Sequence, residues 1–195
     1  MGNTRDLIID AAAQVMAERG LAHATTRQIA QAAGFTEAAL YKHFTNKADL
    51  LVAVMRERSP GFASLAQALN GRAGTGTLAA NLTAVARAAI SFYGEGFPML
   101  ASMFADPATL TAHKEELRQQ GAGPHKANEF VAAYLRAEQD LGRIRREADV
   151  TAAAGLLLGA CFQYAFLGHM APPAGRDDAA AAAAFARTLL QQLAS

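Results

Sequence analysis

Hydroxyl and basic side chains are concentrated in residues 25–47, which read TTRQIAQAAGFTEAALYKHFTNK. Hydroxyl and ammonium groups at helix starts bind phosphate oxygens, which adds affinity for DNA but no choice of sequence. The candidate phosphate contacts are Thr26, Thr36, Tyr41 and Lys47. Helix capping is the alternative role for the two threonines, and packing over Leu51 is the alternative for the tyrosine.

A second group of side chains in this stretch suits base edges in a DNA major groove. Arg27 or Lys42 could donate to guanine, and Glu37 could accept from the amino group of cytosine. Ala38 offers a methyl group to thymine or simply leaves clearance for the bases, and His43 is a base-reading or near-base contact. Together these residue types predict a surface that both holds DNA and reads its sequence.

Two short helices joined by a turn must position these side chains. Thr25 and Gln28 have the spacing of a capping box at the first helix. Gly34 suits the end of that helix, where a positive φ favours glycine. Thr36 caps the second helix, whose Leu40 points inward together with the phenylalanine four residues later. The pattern predicts a helix-turn-helix with its second helix in the major groove.

These residues resemble the DNA-binding domain of the TetR family of transcriptional regulators. The shared motifs are Thr25-Thr26-Arg27, Gly34-Phe35-Thr36, Leu40-Tyr41-Lys42-His43-Phe44, Lys47 and Leu50-Leu51. The resemblance implies a homodimer that binds a palindromic operator on double-stranded DNA, represses transcription, and is released by a small-molecule effector. The operator sequence is not implied, because Thr36, Glu37 and Lys42 differ from the residues of the tetracycline-responsive member.

The composition predicts an all-α protein with local rather than global positive charge. The chain has 195 residues, 52% of them hydrophobic, and a net charge of +1. Between Arg19 and Lys47, four arginines and lysines face the single acid Glu37. The single Cys161 excludes an intrachain disulfide and, with no signal-peptide pattern at the N-terminus, suits the cytoplasm.

The helical pattern predicts an N-terminal three-helix domain, 1–47, and a larger ligand-binding and dimerisation domain, 48–195, linked by a helix at 46–58. About nine helices are expected in total. The predicted breaks are Pro60-Gly61, the flexible loop Gly71–Gly76, Gly94–Pro98, Gly121–Pro124 and Pro172–Gly175. By the resemblance, the last two helices, about 148–170 and 177–194, form the dimer interface.

Residues 150–171 are also long enough to span a membrane, since they carry no charged side chain apart from a protonated His169. Gln163, the modest density of large aliphatics and the lack of basic anchors argue against that interpretation. A buried dimerisation helix, in which Gly155 and Gly159 allow close approach, explains the segment more simply. We therefore expect no membrane association.

The second domain of the family holds a small molecule, and the apolar composition here favours an apolar or aromatic effector. The candidate pocket residues are Phe92, Phe97, Met103, Phe104, Phe130, Tyr134, Phe162, Gln163 and Phe166. Plain core packing is the alternative for most of them.

Other classes of function find little support in the sequence. The pair His125 and Glu129 and the group around His113 lack a third metal ligand, so neither a metal nor another cofactor is expected. No phosphate-binding glycine loop or nucleophilic triad is present, so we predict no enzymatic activity. Two rivals stay open: an effector-independent architectural regulator, and a helical small-molecule-binding protein with a non-functional DNA-reading surface.

Overall fold

A computed structural model describes residues 3–20, 23–58, 62–119, 121–171 and 175–193, and every regular element in these ranges is helical. The prediction of an all-α fold is confirmed. The ten helices of the described ranges are α1 Thr4–Arg19, α2 Thr26–Ala32, α3 Glu37–Leu40, α4 Lys47–Arg58, α5 Phe62–Leu69, α6 Leu78–Phe104, α7 Pro107–Gln119, α8 His125–Asp140, α9 Val150–Met170 and α10 Asp178–Leu193. The predicted breaks at Pro60-Gly61 and Pro172–Ala174 lie outside the described residues.

The chain divides into two compact units, one of residues 1–59 with 96–122 and one of 60–95 with 123–195. In the first unit, α1 packs against both α2 and α4, and α4 packs against α7. Fully buried residues from four helices meet in its core: Ile8, Ile29, Leu40, Leu50 and Leu51. A two-pronged ion pair between Arg5 and Glu57, with N–O distances of 2.8 and 2.9 Å, ties the start of α1 to the end of α4.

The second unit is built on α9, which packs against α8 and α10, while α5 packs against α8. One side of α9 is buried in this core, including Ala154, Leu157, Leu158 and Cys161. Among the helices of the described ranges, α9 is also the one that is long and apolar enough to cross a membrane, with 39% of its most apolar window buried. Its buried side identifies α9 as a core helix of this unit. A core helix can be as long and as apolar as a membrane-spanning one.

Buried polar groups hold the glycine-rich loop between α5 and α6. The sequence predicted a flexible loop and gave no sign of these contacts. The Asn81 amide donates to the Thr75 carbonyl at 2.9 Å and to the Tyr134 hydroxyl at 3.0 Å. The fully buried Glu138 accepts from the Gly74 N–H at 3.2 Å. Because these bonds satisfy groups that would otherwise be buried without partners, they fix the loop against α6 and α8.

The predicted break at Gly94–Pro98 is wrong, because α6 continues through it with Pro98 inside the helix. Proline has no N–H, so the Gly94 carbonyl four residues earlier loses its helical donor. His169 Nε2 lies 2.7 Å from that carbonyl oxygen and replaces the donor. The cost of a proline inside the helix is thereby reduced.

Candidate nucleic-acid interface

Side-chain caps fix both ends of the turn between α2 and α3. The Thr25 hydroxyl accepts from the Gln28 N–H at 3.2 Å, and the Gln28 side chain accepts from the Thr25 N–H at 3.1 Å. Gly34 has φ +77°, a conformation that glycine adopts without strain. The Thr36 hydroxyl accepts from the Ala39 N–H at 3.2 Å and starts α3. The predicted capping box, turn glycine and second cap are confirmed.

Burial separates an inward and an outward face on this motif. Ile29 and Leu40 are fully buried and Phe44 is nearly so, which fixes α2 and α3 on α1 and α4. α3 itself has only four residues, but the N–H groups of Lys42 and His43 bond to carbonyls three residues earlier, so a tighter turn carries the chain on to Phe44.

All nine predicted DNA-contact residues belong to this motif or to the first turn of α4. The exposed ones are Arg27, Thr36, Ala38, Tyr41, Lys42 and His43, and the half-buried ones are Thr26, Glu37 and Lys47. The outward face therefore presents cationic, hydroxyl and methyl groups side by side. Such a surface can bind phosphates and base edges at once.

Three of these side chains are joined by hydrogen bonds that sequence reasoning did not predict. The Thr26 hydroxyl donates to Glu37 Oε1 at 2.5 Å, and the Tyr41 hydroxyl donates to Thr26 Oγ1 at 3.3 Å. The cap of α2 is Thr25, so capping is not the role of Thr26. Tyr41 is 47% exposed and its hydroxyl points along the α2 surface. No local signal could have indicated these contacts, because the partners are 11 and 15 residues apart.

The hydroxyl proton of Thr36 is still available for donation, because the capping bond uses only the hydroxyl oxygen as acceptor. It can therefore cap α3 and donate to a phosphate together. At the next helix start, the Asn46 side chain accepts from the Asp49 N–H at 2.9 Å and the Asp49 carboxylate accepts from the Thr45 N–H at 2.8 Å. This reciprocal cap holds the first turn of α4, where Lys47 lies.

The predicted pocket residues fall in both compact units. Phe97, Met103 and Phe104 belong to the first unit, and Phe104 is 65% exposed. In the second unit, the Tyr93 ring packs edge-on against Phe162 at 5.3 Å. The remaining candidates of that unit are Phe92, Phe130, Tyr134, Gln163 and Phe166. Phe130 and Tyr134 line a groove together with Leu69.

The chemistry of the remaining polar groups is structural. Burial raises the pKa of Tyr134 to about 12, and its hydroxyl is bonded to Asn81. Burial likewise raises the pKa of the Cys161 thiol to about 12, which keeps it protonated and unreactive at neutral pH. Glu129 is paired with Lys126 at 2.8 Å. Within the described ranges, no three His, Cys, Asp or Glu side chains gather as metal ligands.

The geometry defines a helix-turn-helix motif, and the sequences of known proteins match it. The sequence model described as "Bacterial regulatory proteins, tetR family" matches residues 8–54. The HTH-type transcriptional regulator SrpR of Pseudomonas putida is 47% identical over 55 residues, which is 28% of this chain and 26% of SrpR. The chain thus aligns with about a quarter of this relative's length.

Solved structures share the whole fold. A TetR-family transcriptional regulator from Mesorhizobium loti superimposes with a TM-score of 0.80 and 18% identity, covering 98% of this chain and 97% of that one. SmeT, the repressor of the Stenotrophomonas maltophilia multidrug efflux pump SmeDEF, gives a TM-score of 0.71 and 24% identity in its triclosan complex, covering 98% and 92%.

Residues 8–54 thus match the tetR family model, and the chain as a whole shares the fold of the TetR-family regulator from Mesorhizobium loti.

Proposed function

We propose that this protein represses transcription by binding a palindromic DNA operator as a homodimer. The observation that carries the proposal is the exposure of Arg27, Lys42 and His43 on a motif whose inward residues are almost completely buried. A rigid core with a cationic, hydroxyl-rich outer face is what major-groove reading requires. DNA binding belongs to residues 1–47 in this assignment, and effector binding and dimerisation to 48–195. The protein works in the cytoplasm, where the chromosome is accessible.

The homodimer is supported by an apolar stripe on the outer side of α9. Leu156 and Met170 are 69% and 68% exposed, and Leu167 lies between them on the same side. Nothing lies within 4 Å of a Cβ placed on Gly155 or Gly159, so a second helix can approach closely there. An exposed stripe of this kind marks a contact surface. Seating α9 and α10 of a second copy on it would bury these residues.

Two copies related by a two-fold axis would place their α3 helices in successive major grooves, about 34–36 Å apart or a multiple of that distance. A molecule that binds better to a conformer with another spacing would shift the population away from DNA. We assign this role to an apolar or aromatic effector. The aromatic group Phe92, Tyr93 and Phe162 supports it, as does the triclosan complex of the similar SmeT.

Selection of binding sites from random duplex DNA, at near-physiological salt, tests the proposal directly. A dimeric repressor recovers a palindrome with two half-sites at one spacing, and sedimentation of the protein–duplex complex gives two chains per site. Recovery of no enriched sequence would refute it. The same result would favour the rival in which the second unit binds a small molecule and the DNA-reading surface is unused.

Effector class is tested on the selected duplex with two ligand panels of matched size, one apolar and aromatic, the other highly charged. We expect members of the apolar panel to release the DNA and to raise the melting temperature of the free protein. Release by charged metabolites alone would contradict the assignment. A protein that binds its operator and answers to neither panel would be the effector-independent regulator.

A further inference from the structure

A carboxylate holds the hydroxyl that we assign to phosphate binding. Glu37 Oε1 accepts the proton of the Thr26 hydroxyl at 2.5 Å, and Tyr41 donates its own proton to Thr26 Oγ1 at 3.3 Å. A threonine hydroxyl has one proton, so while it is bonded to Glu37 it cannot be donated to a phosphate. Both hydroxyl protons are therefore donated within the protein.

The position of this carboxylate is unusual for a DNA-binding surface. Glu37 is the single acidic residue between Arg19 and Asp49 in the sequence. It lies in the first turn of α3, where the exposed Lys42 follows. A carboxylate at this place repels phosphates, and it loses free energy if it enters an interface without a donor. Glu37 therefore needs a hydrogen-bond donor where it enters a DNA interface.

We propose that Glu37 exchanges partners on DNA, and this proposal rests on the operator-binding function proposed above. At the operator, the amino group of a cytosine becomes the donor to Glu37. The Thr26 hydroxyl is thereby released and donates to a backbone phosphate. Where the base at that position is guanine or thymine, which present only acceptor atoms there, no base donor replaces Thr26 and Glu37 stays bonded to it.

The exchange makes a phosphate contact depend on the identity of a base. Phosphate contacts ordinarily carry no sequence information, since every nucleotide has the same phosphate. Here the contact from Thr26 forms only where Glu37 has found its cytosine. Glu37 is then a specificity-determining residue in two ways, by reading the base and by controlling Thr26.

The experiment measures dissociation constants for the selected operator and for a scrambled duplex of equal length. Thr26→Val removes the hydroxyl and keeps the shape of the side chain. Thr111→Val is the matched control, because Thr111 lies exposed on α7 and bonds only within that helix in the described structure. We expect Thr26→Val to weaken operator binding about tenfold and scrambled binding by less than about threefold.

Removal of the carboxylate gives the second arm. Glu37→Ala releases Thr26 on every duplex, so we expect scrambled binding to strengthen by about threefold and operator selection to lose one cytosine. In the Glu37→Ala background, Thr26→Val should weaken binding to both duplexes equally. Thermal melting of each variant confirms that it is folded.

Equal weakening of both duplexes by Thr26→Val in the otherwise wild-type protein would overturn the exchange, because Thr26 would then be an unconditional phosphate contact. The exchange would also be overturned if Glu37→Ala selects an operator with every cytosine of the wild-type operator still in place. Failure of the wild-type protein to prefer any duplex is a different result, and it would refute the proposed function itself.

Discussion

His169 donates a hydrogen bond across 2.7 Å to the Gly94 carbonyl oxygen, the acceptor that Pro98 leaves without a helical donor. A carbonyl only accepts, so Nε2 carries the proton in this contact. The pair ties the C-terminal end of α9 to the middle of α6. It explains how α6 runs through a sequence that otherwise signals a break.

Removing the imidazole of His169 should destabilise the protein, because the Gly94 carbonyl is then left without this donor. We expect His169→Ala to lower the free energy of unfolding by about 1 kcal/mol. His169→Gln, whose amide can donate, should lower it less. The measurement is urea unfolding followed by circular dichroism.

A double-mutant cycle isolates the role of the proline. Pro98→Ala restores an N–H that can bond to Gly94, so His169→Ala should cost less in that background than in the wild type. Equal costs in the two backgrounds would show that His169 stabilises the fold through its other contacts.

The sequence predicted the helix-turn-helix well because its signals are local. A cap lies three residues from the N–H that it binds, and a glycine marks its own turn, as at Thr25, Gly34 and Thr36. The inward face followed equally from the spacing of Ile29, Leu40 and Phe44. Short-range rules therefore sufficed for this motif.

Contacts between distant residues could not be predicted in this way. The donor that preserves α6 is 75 residues from its acceptor. Thr26 and Glu37 lie on different helices, and the sequence predicted separate roles for them, a phosphate contact and a cytosine contact. The position of Glu138 in the sequence of its helix gives no sign of burial, and only tertiary packing buries it completely. In each case tertiary structure decides which polar groups meet.

Lys47 should act as a phosphate contact without sequence preference. Its charge is near Asp106, whose pKa is lowered mainly by the hydrogen bond from Thr109 and in small part by Lys47. We expect Lys47→Ala to weaken binding to all duplexes and to reduce the slope of log K against log salt by about 0.9. Lys114→Ala, on the exposed side of α7, is the charge-matched control. An unchanged slope would remove Lys47 from the contact surface.

Lys42 should instead contribute to sequence choice, because it lies exposed just after α3. Loss of a guanine contact costs about 1–3 kcal/mol at one base pair. We therefore expect Lys42→Ala to relax the selected operator at one position and to leave the other positions as in the wild type. Site selection with the variant is the measurement. Uniform weakening across sequences would place Lys42 on the backbone.

The ion pair of the fully buried Glu138 with the partly exposed Arg143 should be coupled. Arg143 Nη1 lies 3.2 Å from Glu138 Oε2, within ion-pair distance but not aligned for a hydrogen bond, and Nη2 donates to the Gly76 carbonyl at 2.7 Å. Glu138→Ala leaves the Gly74 N–H without its acceptor and the Arg143 guanidinium without its counter-ion, so it should destabilise the fold by about 1–3 kcal/mol.

The double variant tests that explanation. Glu138→Ala with Arg143→Ala should cost less than the sum of the single variants by about 0.5–3 kcal/mol, since the uncompensated partner is gone. Additive losses in urea unfolding would mean that Glu138 stabilises the fold through its contacts with the Gly74 N–H and the Tyr134 hydroxyl instead.

His113 should make the stability of the protein depend on pH. Its Nδ1 is buried on α7 without a hydrogen-bond partner, and burial lowers the pKa of the imidazole, opposed by the charge of Glu116. The unfolded chain therefore binds this proton first as the pH falls. Stabilisation by neutral His113 is fully present well above the ordinary histidine pKa of about 6.5 and is lost as the pH falls through and below it.

His113→Leu cannot titrate, so its free energy of unfolding should fall less between pH 7.5 and 5.5 than that of the wild type. Urea unfolding at constant ionic strength gives both values, and equal declines would show that other groups carry the pH dependence.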